Sequence, residues 1–235
     1  MNESYEATGY AGRAVIFADA SRRAVFVSRT YGHLTGAVFL FALIEVALFS
    51  SGAAERIAVA LTSVSWLIVL GAFVVVGWLA SHTAHRSMSI GVQYAALLGF
   101  VVAESIIFVP LLYVANRMAP GATSSAALVT FLGFGGLTAV AFITRKDFSF
   151  LRGVLGWGFV VAILLIVASV LFGWHMGTWF SVGMVALAGA SVLYDTSNVL
   201  HHYPEDRYVA AALELFASVA LMFWYVLRLF LASRR

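Results

Sequence analysis

The stretch ALAGASVLYDTSNVLHH, Ala186 to His202, governs the reading of the whole chain. It opens as an apolar helix and then places Asp195 inside the segment, about one and a half turns before the end. At helical spacing Ser191, Asp195, Asn198 and His202 share one face. The surrounding composition makes that face unusual. Of 235 residues, 62% are hydrophobic and 11% charged, whereas soluble domains hold about a quarter charged residues. The chain therefore reads as an all-α integral membrane protein, in which a carboxylate on a spanning helix needs a receptor within the protein.

Outward from this stretch, a spanning helix needs about 20 mostly apolar residues. Seven segments qualify, at about 31–49, 62–80, 92–115, 122–144, 153–172, 179–200 and 208–231. The connections are short and marked by Ser50–Ser51–Gly52, His82–Arg86, Pro120–Gly121, Arg145–Lys146–Asp147, Gly173–Gly177 and Pro204–Glu205–Asp206. Ala53–Val64 could extend the second helix. Glycines at 133, 135, 136, 153, 156 and 158 suit close helix packing. Residues 1–28 read as a cytoplasmic tail and 29–235 as a single seven-helix domain. The tail is too polar for a secretory signal, with Glu3, Glu6, Arg13, Asp19, Arg22 and Arg23. An amino terminus on the inside puts nine of the 14 basic residues on that side, so the positive-inside rule places it in the cytoplasm. The net charge of +3 then reflects topology rather than nucleic-acid binding.

Four carboxylates fall inside apolar segments: Glu45, Glu104, Asp195 and Glu214. A charge at the bilayer centre costs at least ~2.5–3.5 kcal/mol on insertion scales. Glu45 stands one turn from a segment end and could reach the headgroups. Glu104 sits in mid-segment and is a candidate pore-lining group, with Ser191 and Asn198. Asp195 and Glu214 flank the Pro204 turn almost symmetrically, at similar depth in an antiparallel hairpin. Ser218 continues the Glu214 face one turn on. His82, His85, His201 and His202 read as solvated loop histidines.

Several functions are excluded by what the chain lacks. It has no cysteine, hence no thiolate chemistry. Its one lysine, Lys146, lies in a loop, so no retinal Schiff base can form. Only one aspartate lies in a segment, which rules out an intramembrane aspartyl protease. Ser191 lacks the glycine that would follow it in a rhomboid-like site, and no phosphate-cradling loop is present. The chain is therefore not expected to be an enzyme, and no cofactor is expected.

Two stretches resemble the Bax inhibitor-1 family, also called the transmembrane BAX-inhibitor-motif family. Thr144–Arg145–Lys146–Asp147–Phe148–Ser149–Phe150–Leu151 is similar to the family loop after the fourth helix. Leu193–Tyr194–Asp195–Thr196–Ser197–Asn198, with His201 downstream, is similar to its sixth helix. The detail around Thr196–Ser197–Asn198 and Ser218 looks most like the bacterial YccA-like branch. The resemblance implies a monomeric seven-helix bundle in the bacterial inner membrane with the seventh helix central. It also implies a pH-sensitive calcium leak whose proton sensor is a carboxylate pair on the sixth and seventh helices. Asp195 matches the first member of that pair; Ser218 stands where the second would be, and Glu214 is the nearest carboxyl. No arginine within the second segment offers the partner some members have. The expected gate is Asp195, Glu214 and Ser218, with Asp195 and Glu214 as transient Ca²⁺ ligands. The other expectation, from the same branch, is a non-transporting modulator of an FtsH-like membrane protease.

Overall fold

A computed structural model describes residues 14–87, 89–174 and 176–233. Arg13, Arg234 and Arg235 of the charge count, His175, and the first 13 residues of the expected tail lie outside that set. After a short 3-10 turn, Val15–Phe17, come α1 (Ala20–Ser50), α2 (Ala53–Ser63), α3 (Trp66–Arg86), α4 (Ile90–Met118), α5 (Ala122–Thr144), α6 (Leu151–Phe172), α7 (Gly177–His201) and α8 (Tyr208–Ala232). All but α2 are long and apolar enough to span a membrane. The protein is a multi-pass membrane bundle of seven such helices.

Two boundaries differ from the apolar runs. α1 begins at Ala20, because Arg22 and Arg23 find protein partners rather than ending the helix: Arg22 pairs with Glu205 at 2.9 Å and Arg23 donates to the Ile16 carbonyl at 2.7 Å. Ala53–Val64 does not extend the second span. Gly52 turns the chain in the left-handed region (φ 73°), α2 runs 11 residues, and extended Val64 separates it from α3. Ala54 and Ala58 of α2 pack against Val109 of α4.

The seventh span is central. α8 packs against α1, α3, α4, α5 and α7, and 13 of its 25 residues are buried. On α6, only Leu155 and Ala162 are buried. Outward side chains such as Ile143, Trp157 and Trp179 are more than 70% exposed, which suits lipid contact. Pro110 sits within α4, which continues through it, as membrane helices allow when neighbours satisfy the freed carbonyl.

The resemblance motifs meet at one end of the bundle. α5 stops at Arg145, which adopts the left-handed region (φ 50°) and is the sole described non-glycine residue to do so. That conformation costs a side chain about 1–2 kcal/mol, so the loop needs anchoring. Ser197 of α7 supplies it: its hydroxyl accepts from the Phe148 amide at 2.9 Å and lies 3.4 Å from the Lys146 carbonyl. Asp147 accepts from the Ser149 amide at 2.9 Å and lies 3.4 Å from His202. Against a desolvation penalty, those Ser149 bonds and the adjacent histidines hold its carboxyl below the usual range.

Not all the glycines are packing devices. A Cβ on Gly153, Gly156, Gly135 or Gly136 would meet nothing within 4 Å, whereas one on Gly158 would lie 2.6 Å from Leu187 Cδ1 of α7. Gly158→Val is therefore expected to cost about 1–3 kcal/mol by overpacking. Gly156→Ala is expected to be neutral or to stabilise by up to about 1 kcal/mol, because helical glycine is unfavourable. Thermal unfolding of the two variants in detergent separates them; equal melting temperatures would show that α6 and α7 are not in close contact. Ser197→Ala is expected to release the Arg145–Lys146 loop. Loss of about 1 kcal/mol of anchoring raises the open population about fivefold, read as faster trypsin cleavage there. An unchanged rate would show that the loop is held elsewhere.

Candidate functional site

A cavity of about 840 Å³ is lined from α3, α4, α6, α7 and α8. Its walls are mostly apolar. Asp195, Glu214, Ser218, Glu104 and Ser191 all line it; Asn198 is not among its lining residues. Asn198 instead closes the C-terminus of α7, its carbonyl accepting from the His202 and Tyr203 amides at 2.8 and 3.2 Å.

α7 and α8 bring Asp195 against Ser218. Asp195 is 8% exposed, and the Ser218 hydroxyl donates to its Oδ2 at 2.5 Å. Burial in low dielectric strengthens such a hydrogen bond. Glu214 stands one turn nearer the α7–α8 turn and interacts electrostatically with Asp195. Its hydrogen bond, however, goes elsewhere: Ser81 of α3 donates to Glu214 Oε1 at 2.5 Å. Equal distance from the turn gives the two carboxylates similar depth; helix rotation turns one toward α8 and the other toward α3.

His85 completes this second cluster; its side chain is exposed, as expected, but it stands on a helix rather than in a loop. α3 continues to Arg86, six residues past the apolar run, so His82 and His85 are helical. His85 Nδ1 lies 2.9 Å from the Ser81 carbonyl and 3.6 Å from Glu214 Oε1. A carbonyl only accepts, so Nδ1 carries a hydrogen. Nε2 lies 2.7 Å from the Tyr203 hydroxyl. Burial, and then the charges of Glu214 and Asp195, push that phenol well above its usual pKa. Arg207 donates to the Ala84 and His85 carbonyls, satisfying the end of α3. Ser81 and His85 are spaced i, i+4; that signal was legible, but the apolar run ended before it. His201 is also helical, with Nδ1 2.9 Å from the Ser197 carbonyl.

The other two interior carboxylates part company. Glu104 of α4 is 3% exposed and faces the cavity. Glu45 of α1 does not reach the headgroups: it is 7% exposed, and neither carboxylate oxygen has a hydrogen-bond partner among the described residues. The cause is α2, which folds back beside α1 and α4 at this end. Among the described residues no group of three or more histidine, aspartate or glutamate side chains is placed to hold a metal. A cation met here would find two carboxylates and hydroxyls rather than a full oxygen cage.

A seven-span helical bundle with a central last helix and a carboxylate-lined cavity defines a class of multi-pass membrane protein, and comparison with known proteins supplies its family. Residues 23–235 match the family described as inhibitor of apoptosis-promoting Bax1, and the chain belongs to that family. It is 36% identical over 110 residues to an uncharacterized protein of Pseudomonas aeruginosa, 46% of this chain and 48% of that protein. It is 32% identical over 97 residues to the modulator of FtsH protease YccA of Escherichia coli, 40% of this chain and 43% of that protein. Rice Bax inhibitor 1 is 28% identical over 177 residues, 73% of this chain and 70% of that protein. The chain thus matches under half the length of the two bacterial relatives.

Proposed function

We propose that the protein is a pH-sensitive cation leak of the inner membrane of a bacterial cell, with calcium as a permeant ion and its amino terminus in the cytoplasm. It works as a monomer without cofactor or catalysis. The observation that carries this reading is Asp195, buried in the wall of the central cavity and bonded across the α7–α8 contact to Ser218. Interior ionisable groups facing a cavity mark ion pathways more often than structure. The titratable groups that interact with Asp195 are Glu214 on α8, Tyr31 on α1 and Tyr203 in the turn, with Ser81 and His85 of α3 behind Glu214; Glu104 of α4 and Arg152 of α6 line the same cavity. Interacting carboxyls titrate as a unit. A proton on the unit favours the closed α7–α8 contact. Its loss adds negative charge, weakens that contact and offers oxygens to a hard cation.

Calcium flux into proteoliposomes, measured against pH, tests this. The wild type is expected to show pH-dependent flux and Asp195→Asn to lose that dependence. A mutant with unchanged flux and pH response ends the proposal. Within it, Glu214→Gln and Ser218→Ala separate the two partners: a silent Glu214→Gln with altered gating in Ser218→Ala assigns the gate to the hydroxyl.

A second reading is a modulator of a membrane protease, supported by the printed function of the E. coli relative. The amino-terminal segment suits it, because Val15 donates to the Tyr203 carbonyl at 2.8 Å and Ala14 bridges Pro204. Ala14 and Val15 are thereby held beside the α7–α8 turn. Deleting residues 1–13 leaves that docking and α1 intact, and is expected to abolish co-purification of an FtsH-like protease with the protein. Retained co-purification would reject the tail as the contact.

A further inference from the structure

We propose that the central cavity is a binding site for a lipophilic organic cation: a single ammonium- or phosphonium-type centre carried on an apolar body. At about 840 Å³ the cavity has the size of small-molecule sites. It has their composition too, with apolar and aromatic walls and a few convergent polar groups.

Glu104 supplies the observation that points to a ligand. Its side chain is 3% exposed, faces the cavity, and has no hydrogen-bond or ionic partner among the described residues. Asp195 and Glu214 are each already met by a serine hydroxyl. Glu104 therefore presents into the cavity a carboxyl group whose ionised form has no receptor among the described residues. Such a group is expensive to bury unless a counter-charge visits it.

The surrounding rings specify what kind of counter-charge. Phe108 follows Glu104 by one helical turn and lies edge-on to Trp224, centroids 5.0 Å apart. Trp224 in turn stacks with Trp66 at 6.1 Å. These aromatic side chains share the cavity lining with Glu104. Ring faces attract organic cations and bury their hydrocarbon, whereas a hydrated metal ion would lose its water to walls that offer no replacement oxygens. The two arginines of the lining, Arg152 and Arg228, belong to the first turn of α6 and the last turns of α8. The carboxylates come from between those ends, so the cationic centre belongs in the middle of the cavity. Three acidic side chains in that middle region, with both arginines at the ends, favour a cation over an organic anion of the same shape. None of this requires that ions cross the protein, so the binding site stands or falls apart from the leak.

Tetraphenylphosphonium tests the proposal, with tetraphenylborate as the ion of the same shape and opposite charge. Equilibrium dialysis of each against the purified full-length protein in detergent, with empty micelles as the blank, reads binding. The phosphonium is expected to bind saturably and the borate not to bind. Glu104→Gln, nearly isosteric, is expected to weaken phosphonium binding at least tenfold. Ala217→Phe, which fills the cavity, is expected to abolish it, with both variants eluting like wild type on size exclusion. Equal binding of the two ions, binding no greater than that of empty micelles, or undiminished binding by Glu104→Gln overturns the proposal. Should a variant fail to fold, the comparison of the two ions on wild type decides alone. Phosphonium binding without any calcium flux would keep this site and remove the leak; flux without phosphonium binding would do the reverse.

Discussion

A carboxylate can sit on a membrane helix only where protein surrounds it, and the Asp195–Ser218 hydrogen bond is where this chain meets that constraint. The bond requires α7 and α8 to lie side by side with both polar positions turned inward. It therefore forbids α8 a lipid-facing place. The small and aliphatic run Val209–Leu213 of α8, buried throughout, answers the same requirement. Once α8 is interior, the other helices must wrap it, and its contacts with α1, α3, α4, α5 and α7 describe that wrapping. α6, with only Leu155 and Ala162 buried, stands at the margin of this wrapping and can be mostly apolar.

The end of the bundle carrying the α7–α8 turn is tied down by polar contacts rather than by apolar packing alone. Val15 bonds the Tyr203 backbone, the Tyr203 hydroxyl bonds His85, and His85 approaches Glu214. Arg22 pairs with Glu205, and Arg207 holds the end of α3. The Thr144–Leu151 loop joins through Ser197 and His202. Exposed ion pairs such as Arg22–Glu205 contribute little each, about 0–1 kcal/mol. Their value here is positional: they bring four chain segments to the mouth nearest Glu214. The amino-terminal segment is thus in contiguous contact with the cavity through three side chains.

The seven spans and the interior carboxylates were legible in the sequence, because apolar run length and isolated charges are one-dimensional signals; the central place of the last span followed only from the family resemblance. Two boundaries were not. The extension of α1 back to Ala20 depends on Glu205 and the Ile16 carbonyl, partners remote or unpatterned in the sequence. The break at Val64 is flanked only by Ser63 and Ser65, hydroxyl residues that apolar helices also hold, so hydropathy does not mark it. At the site, Asp195, Ser218, Glu104 and Glu214 could be named from residue type, but their pairing could not. Rotation of α8 by part of a turn decides whether Glu214 meets α7 or α3, and periodicity carries no phase between helices. His85 was hidden for a different reason: a helix end rich in histidine and serine reads as a loop until Tyr203 and Glu214 are seen beside it.

That rotation changes what a gate in this bundle would consist of. Two carboxyls facing each other across α7 and α8 would share a proton and confine charge sensing to one hairpin. Here a hydroxyl occupies the α8 position opposite Asp195, and a hydroxyl adds a donor without adding charge. The second carboxylate, one turn away, engages Ser81 and lies close to His85 on α3. Any change of charge at Asp195 is felt by Glu214 electrostatically and by Ser218 through the hydrogen bond. Any response of Glu214 is exerted on α3. A gate assembled from these groups would move α3 against the α7–α8 pair. α3 also forms one wall of the cavity facing α6, and a shift there would alter the cavity's width along its whole length.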